Sequence, residues 1–211
     1  MNLDKIKTPY YIFYADDFIN NYHELETSMK SVYENYKIAY SFKTNYTPAV
    51  CNLIENLGGY AEVVSDMEYE LALKVGFNPE CIVYNGPGKG DMLEHCLLNK
   101  GMLNIDNLRE LERVCDFAKL NIDKNFKVGI RVNFDIGNGL HSRFGLDVEN
   151  GDFDYALTKI DEIDNLTVQG LHFHISRARA LDSWKNRIVG MLELVRKYKL
   201  DNLKYIDLGS G

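Results

Sequence analysis

The feature that most constrains the fold is a repeated alternation of a short strand-like stretch with a longer helix-like stretch. Seven strand-like stretches occur in the 211-residue chain, and they lie at 37–43, 60–64, 81–85, 102–106, 127–133, 168–174 and 204–208. Alternation of this kind is typical of parallel sheets whose strands are joined by helices. We therefore predict an α/β fold, a TIM-type (β/α) barrel truncated after about seven strands, where a complete barrel has eight.

The intervening stretches are predicted to be amphipathic helices. In 106–120 five residues fall on one apolar stripe, as in a helix that faces a core, and they are Leu108, Leu111, Val114, Cys115 and Ala118. We predict Asp106 as the N-cap of this helix. Asp66 is the predicted N-cap of an earlier helix that ends at Gly76.

Several predicted strands carry polar or small residues on one face, whereas a strand buried on both sides of a parallel sheet is normally apolar throughout. These residues alternate with apolar ones at Asn104, Asp106, Gly129, Arg131, Asn133, Gly170, His172, His174, Tyr205 and Asp207. In a barrel the apolar faces pack on the helices and the polar faces line the interior. The polar faces then lead to the C-terminal mouth, where barrels of this kind place their active sites.

The first strand ends in a lysine. Read as alternating, 37–43 places Ala39, Ser41 and Lys43 on the interior face, so that two small residues leave space beside an amine. A dehydrated lysine has a lowered pKa, which frees its amine to attack a carbonyl and form a Schiff base. We therefore expect a largely dehydrated Lys43 amine beside a covalently held cofactor. The alternative is a lysine that extends to solvent at the barrel rim.

The final residues, IDLGSG, place Gly209, Ser210 and Gly211 directly after the last predicted strand. A glycine cluster there exposes backbone N–H groups, and the loops after strands seven and eight of these barrels commonly bind phosphate. The position of the cluster, at the end of a seventh strand opposite a strand-end lysine, favours a phosphate site over an ordinary turn.

His172 and His174 lie on one face of a predicted strand, and three interpretations remain open. They are a metal pair completed by Asp207 and Glu62, as in a metal-dependent hydrolase. They are structural histidines with satisfied hydrogen bonds. Alternatively, an imidazole stacks on a flat cofactor ring.

Arg131 has Gly129 beside it on the same face, which we expect to leave room for its long side chain. It either forms a structural ion pair, for instance with Glu62, or binds a phosphate or carboxylate. The later run SRARALDSWKNR gathers Arg177, Arg179, Lys185 and Arg187 just beyond the histidines, either as a solvated helix face or as a site for an anionic substrate. NGPGKG at 85–90 lacks the spacing of a P-loop and is predicted to be a strand-end loop.

Bulk composition excludes several classes of partner. The formal net charge of −7 provides no general positive field for nucleic acid or anionic membrane surfaces. Four widely spaced cysteines argue against a disulfide framework and a structural zinc site. No apolar run approaches the roughly 18 residues of a membrane span. We expect a cytoplasmic protein with no nucleic-acid or membrane partner.

Several motifs in order resemble one known family, the fold-type III pyridoxal 5′-phosphate (PLP) dependent decarboxylases of diaminopimelate, ornithine and arginine. The resemblance runs from about Thr8 to Gly211 and is carried by YSFKTN, AEVVSDMEYELALKVGF, YNGPGKGDMLEHCL, NIDNLREL, GIRVN, SRFG, GLHFHIS and IDLGSG. The NGP-K and SRFG segments look most like diaminopimelate decarboxylase. Each motif alone is weak, whereas eight in the family's order are strong.

The resemblance implies a role for particular residues. Lys43 is the Schiff-base lysine, His174 stacks on the pyridine ring and Arg131 supports the cofactor pocket. The implied cofactor-binding set is Lys43, Glu62, Arg131, His172, His174, Ser176, Gly209, Ser210 and Gly211. The sequence departs from the family at Ser176, which comes one place early, and at Arg177, which follows it. The implied substrate-binding residues are Arg143, Arg177 and Arg179.

The resemblance also implies the organisation and activity of the protein. Residues 1–211 are expected to form one PLP-binding, alanine-racemase-like barrel domain, incomplete at its C-terminus and without the family's C-terminal β-domain. The intact protein is expected to be a homodimer that decarboxylates meso-diaminopimelate or a related amino acid in lysine biosynthesis. This chain alone is expected to be inactive or weakly active. The alternatives are a non-catalytic PLP-binding homeostasis protein and the metal-dependent hydrolase built around His172 and His174.

Overall fold

The computed structural model describes residues 6–137, 139, 142–176 and 180–209. Its contacts divide the chain into two compact units, one up to Ile38 and one from Ala39 onward. The first unit contains helix α1, Ala15–Lys30. Asp16 and Asp17 lie in its first turn and Lys30 in its last, so the charges complement the helix dipole.

The second unit contains one parallel sheet. Its seven main strands are hydrogen-bonded in chain order, and they are β1 Ala39–Ser41, β2 Tyr60–Val63, β3 Ile82–Tyr84, β4 Met102–Ile105, β5 Phe126–Asn133, β7 Leu166–His172 and β8 Tyr205–Asp207. A two-residue strand that the sequence analysis missed, β6 Leu146–Asp147, pairs with the end of β5. The predicted class, an incomplete (β/α) barrel, is confirmed.

Helices connect the strands as the hydrophobic pattern predicts. They are α2 Pro48–Asn56, α3 Asp66–Val75, α4 Met92–Leu98, α5 Leu108–Leu120, α6 Asp152–Asp161 and α7 Leu181–Lys197, with a 3-10 turn at Pro79–Cys81. The apolar stripe of α5 is buried at Leu111, Val114, Cys115 and Ala118, while Leu108 at the start of the helix is only half-buried. The stripe therefore faces the core as expected.

Both predicted N-caps are wrong by one residue. Ser65 caps α3 by accepting a hydrogen bond from the Glu68 N–H, and Asn107 caps α5 in the same way. Asp66 is not the cap because its carboxylate accepts hydrogen bonds from the Tyr84 hydroxyl and the Gly90 N–H instead. The predicted helix end at Gly76 is confirmed, since this residue adopts the left-handed conformation that favours glycine, with φ of 115°.

Because all strands of the sheet are parallel, their C-terminal ends lie at the same end of the sheet. The register pairs Ser41 with Glu62 across β1 and β2, and pairs His172 with both Arg131 and Asp207 across β5, β7 and β8. Among the described residues, β1 and β8 each pair with only one neighbouring strand. They are therefore the two edges of the sheet.

Two further properties concern the chain as a whole. All four cysteines are free. Within the described residues, no helix has the length and apolar character needed to cross a membrane.

Candidate active site

The end of β1 differs from the sequence prediction. The strand stops at Ser41, and a turn closed by the Thr44 N–H on the Ser41 carbonyl, 3.2 Å apart, carries Lys43 away from the alternating pattern. Lys43 is consequently exposed, and the expectation of a dehydrated amine is wrong. Within the described residues, its amine makes no hydrogen bond or salt bridge. The Lys43 charge acts on Glu68: burial raises the pKa of this carboxyl group, and the Lys43 charge opposes the increase.

Glu62, at the end of β2, is tied to both neighbouring strands. One carboxylate oxygen accepts a hydrogen bond from the Ser41 hydroxyl, and the other accepts one from Asn85 Nδ2 at 3.3 Å. Asn85 directly follows β3 and is buried. Glu62 therefore lies beside Ser41 at the end of β1, and Lys43 follows Ser41 by two residues.

Arg131 forms an ion pair inside the barrel, with a different partner from the one predicted. Its Nη1 lies 2.6 Å from Asp106 Oδ2, and its Nη2 donates to the His174 carbonyl at 3.1 Å. The guanidinium also lies 5.0 Å from the centroid of the Phe144 ring. Both members of the ion pair are almost fully buried, so Arg131 is a structural cation that supports β7 rather than a partner of Glu62.

The space beside Gly129 has an unexpected occupant. A methyl group at this position would collide with Asn104 Oδ1 and with the Tyr205 hydroxyl. A methyl group at Gly170 would collide with the Tyr205 ring itself. The two glycines therefore make room for Tyr205, and the expectation that Gly129 accommodates the Arg131 side chain is wrong.

His172 is a buried, neutral imidazole. Burial, followed by the nearby charges of Arg131 and His174, holds its pKa well below the ordinary value. Its Nε2 lies 3.9 Å from Asp207 Oδ2, and its Nδ1 has no hydrogen-bond partner among the described residues. Burial raises the pKa of Asp207, while the Gly209 N–H and the Asn85 amide act in the opposite direction.

His174 and Gly209 come together at the β8 end. Gly209 is in the left-handed conformation with φ of 67°, and a methyl group there would press on the His174 side chain. The Gly209 N–H donates to Asp207 Oδ1 at 2.8 Å. One implied phosphate residue therefore lies against the implied ring-stacking histidine, while Ser210 and Gly211 lie outside the described residues.

The other predicted ligand residues separate into three groups. Ser176 is exposed, and so is Arg143, whose guanidinium lies 4.7 Å from the Phe144 centroid. Arg177 and Arg179 lie outside the described residues. Arg187 is fully buried, packs 4.2 Å from Trp184 and donates to the Leu208 carbonyl at 2.6 Å, so it is part of the core and not of a solvated or substrate-binding face.

The NGPGKG loop at 85–90, which lacks the spacing of a P-loop, contains a buried cation. It lies directly after β3, as predicted. Lys89 Nζ lies 2.9 Å from Glu110 Oε2 and 2.5 Å from the Gly86 carbonyl. The same Glu110 oxygen accepts the Asp106 N–H at 2.9 Å, so this pair fixes the strand end that carries the Arg131 partner.

Sequence reasoning identified Asn104 and Tyr205 as interior residues without assigning them contacts, and it missed Asn85, Lys89 and Glu110. The sequence did contain a usable signal, because Gly129 and Gly170 on two strands face Tyr205 on a third.

In the part of the chain that the structure describes, no three His, Cys, Asp or Glu side chains are gathered as a metal ion requires. The hydrolase alternative therefore has no support from the geometry.

Comparison with known proteins agrees with this arrangement. The family model described as the pyridoxal-binding domain of pyridoxal-dependent decarboxylase matches residues 17–211. The diaminopimelate decarboxylase of Aquifex aeolicus is 29% identical over 222 residues, covering 97% of this chain and 50% of that protein. The Methanocaldococcus jannaschii enzyme of the same name is 25% identical, covering 99% of this chain and 51% of that protein.

Solved structures agree as well. A crystal structure of the M. jannaschii diaminopimelate decarboxylase has a TM-score of 0.86 at 25% identity, covering 99% of this chain and 52% of that chain. A second structure, of the same enzyme with L-lysine, has a TM-score of 0.86 at 26% identity and the same coverage. The chain thus spans about half the length of the relatives it matches.

Proposed function

The chain belongs to the pyridoxal-dependent decarboxylase family, whose cofactor is PLP, and from that premise we propose that it is the cofactor-binding part of an amino-acid decarboxylase. Lys43 is the residue whose amine bonds to the cofactor aldehyde. The substrate is meso-diaminopimelate or a related amino acid. The intact protein is a cytoplasmic homodimer, and residues 1–211 are its PLP-binding barrel domain.

The observation that carries this proposal is an accessible lysine after β1 together with a glycine packed on His174 after β8. The Lys43 amine is exposed at the end of β1 and makes no hydrogen bond or salt bridge within the described residues. At the end of β8, Gly209 lies against His174 with no side chain between them. The residues present therefore fit an aldehyde at the β1 end. The Gly209 N–H is bonded to Asp207, so the phosphate is assigned to the β8 end by the family resemblance and by the absence of a side chain at Gly209.

The buried histidine fits the same group. The Nδ1 atom of His172 has no hydrogen-bond partner among the described residues, which is uncommon for a buried polar atom unless a ligand or water completes the site. Because its pKa is lowered, His172 stays neutral and adds no charge beside Arg131. It therefore offers a ring nitrogen to a bound group without repelling the Arg131 cation.

Each protein group has a positioning or binding task. When bound, PLP supplies the electron sink that accepts the electron pair left by a departing carboxylate. Lys43 would hold the cofactor through its amine. Glu62 and Asp207 present carboxylates at the mouth, and the Arg131–Asp106 pair fixes the His174 backbone.

The choice of substrate rests on the relatives. Both relatives described above are named diaminopimelate decarboxylases, and one solved structure holds L-lysine. Arg143 is exposed in the segment between β5 and β6, next to Phe144, and we assign it to a substrate carboxylate together with Arg177 and Arg179. A diacid with two ammonium groups needs both anionic and cationic partners, which these arginines and Glu62 supply.

The experiment adds PLP to the full chain and records the visible absorbance band of lysine-bound pyridoxal. We expect a band in the wild type that disappears in Lys43→Ala. Bound zinc at stoichiometry with no such band would refute the proposal. A band without release of carbon dioxide from meso-diaminopimelate, in the full-length protein, would favour the non-catalytic PLP-binding protein instead.

A further inference from the structure

A chain of hydrogen bonds crosses the interior of the sheet from β8. The Tyr205 hydroxyl donates to Asn104 Oδ1 at 2.8 Å, and Asn104 Nδ2 donates to Asn85 Oδ1 at 2.8 Å. Asn85 Nδ2 then donates to Asp207 Oδ2 at 3.1 Å and to Glu62 Oε1 at 3.3 Å. One amide group therefore uses both of its N–H donors on two carboxylates from different strands.

The direction of the chain is fixed by those carboxylates. Reversing the Asn85 amide would turn its carbonyl oxygen toward Glu62 and Asp207, and all three groups are acceptors. Asn104 must then donate to Asn85 Oδ1, which leaves the Asn104 oxygen to accept the Tyr205 proton. Each amide consequently has one orientation that satisfies its neighbours.

The surrounding strands are shaped to contain this chain. Asn85 and Asn104 are 3% and 1% exposed, so their hydrogen bonds form away from water. Gly129 and Gly170 lack the side chains that would displace Tyr205 and Asn104. A buried polar network is stable only when its members are all paired. In this one the Tyr205 hydroxyl and the amides of Asn104 and Asn85 each donate to an acceptor.

This hydrogen-bond network joins the two edge strands of the sheet, β1 and β8. Within the described residues, β1 and β8 form no hydrogen bond to each other, but Glu62 binds the Ser41 hydroxyl of β1 and Asn85 links Glu62 to Asp207 of β8. Lys43 lies two residues beyond Ser41, and Gly209 lies two residues beyond Asp207. Asn85 therefore spans the interval between the two ends of the proposed cofactor site.

We propose that Asn85 is a positioning residue that sets the distance between the Lys43 end and the Gly209 end of the cofactor site by bridging Glu62 and Asp207. This inference rests on the proposed function. It concerns a ligand that is held at both ends, because only such a ligand detects the distance between them. A ligand held at the aldehyde end alone is insensitive to the bridge.

The test compares PLP with pyridoxal, which has the aldehyde but no phosphate. Asn85→Asp keeps the size of the side chain and replaces the donating amide with a third carboxylate. We expect the dissociation constant for PLP, titrated from the absorbance band of the full chain, to increase about tenfold or more, as expected when a charge-assisted hydrogen bond is lost. The dissociation constant for pyridoxal should stay within about twofold.

The matched control is Asn133→Asp, at a buried amide on β5 that donates to Asp147 and to the Ser142 carbonyl and touches neither edge strand. It should leave both dissociation constants near wild type.

Asn85→Ser is measured in parallel, with circular dichroism to verify folding, so that one misfolded variant does not decide the result. Equal weakening of PLP and pyridoxal, or unchanged PLP affinity in the folded variants, overturns the inference. A wild type that gives no Lys43-dependent band refutes the proposed function instead.

Discussion

The turn after β1 and the loop after β3 each present a lysine, and the two lysines are in opposite environments. Lys43 is exposed, and no described residue forms a hydrogen bond or salt bridge with its amine. The Lys89 side chain has 0% exposure and is held by Glu110 and by the Gly86 carbonyl. Burial lowers the pKa of Lys89, and the Glu110 charge opposes that decrease.

The difference shows that burial alone does not identify a reactive amine. A criterion based only on dehydration would select Lys89, whose amine donates to a carboxylate and to a carbonyl. Such an amine has no free lone pair while the ion pair persists, and no route for an aldehyde to reach it. The family resemblance selects Lys43, which the structure leaves accessible.

The largest expected effect is on covalent attachment. Treatment of the full chain with PLP and borohydride, followed by peptide mapping, should place the reduced pyridoxyl group on Lys43 and leave Lys89 unmodified. Lys43→Ala should abolish the label, because an amine held by Glu110 cannot replace the missing one. Label on Lys89 in the wild type would reverse the assignment of the two lysines.

A large effect on stability is expected at the buried lysine. Glu110→Gln should lower the free energy of unfolding by about 3–5 kcal/mol, since removal of one partner leaves a buried charge unpaired. Urea denaturation measures the change. The control is Glu70→Gln, which breaks an exposed i,i+4 pair with Lys74 at 3.3 Å and should cost about 0.5 kcal/mol or less. Similar losses in the two variants would show that the Lys89 pair is no more than a surface contact.

Apolar replacement of both partners sharpens the comparison. The double variant Lys89→Met, Glu110→Leu removes both charges, and replacement of a buried pair by apolar groups is often close to neutral. The Asp106 N–H loses its acceptor, which costs about 1–3 kcal/mol. We therefore expect the double variant to be more stable than Glu110→Gln. A double variant less stable than the single one would mean that the charges themselves are needed.

The pH dependence of folding separates His172 from the exposed groups. Its pKa is depressed in the folded state, so the unfolded chain binds a proton first as the pH decreases. The stability that the neutral His172 contributes is fully present above the unfolded histidine pKa of about 6.5. It is lost as the pH falls toward the lower pKa of the folded state. Denaturation midpoints should therefore decrease below about pH 6.5 in the wild type, and less steeply in His172→Gln. If the denaturation midpoints of the wild type and His172→Gln decreased equally with pH, the pKa of His172 would not be lowered in the folded state.

The fold was largely predictable because each strand shows its faces in a local pattern, as 127–133 does. The site was only partly predictable because its contacts join distant residues. Lys89 and Glu110 are 21 residues apart, and Tyr205 and Asn104 are 101 residues apart. No local spacing encodes these pairs. The Lys43 turn was missed because alternation was extended two residues past the point at which the Thr44 N–H closes the chain on Ser41.

The smallest expected effect is on stability at the exposed lysine. Lys43→Met should change the free energy of unfolding by no more than about 0.5 kcal/mol, because the side chain is exposed and no described residue forms a hydrogen bond or salt bridge with it. Lys89→Met is the matched replacement and leaves the Glu110 carboxylate buried without its cation, so its cost should be several times larger. The two variants share one chemical change, and urea denaturation of both isolates the environment as the variable. A destabilised Lys43→Met chain would mean that the β1 turn depends on this amine for folding, in which case loss of PLP binding in Lys43 variants would no longer identify the attachment site.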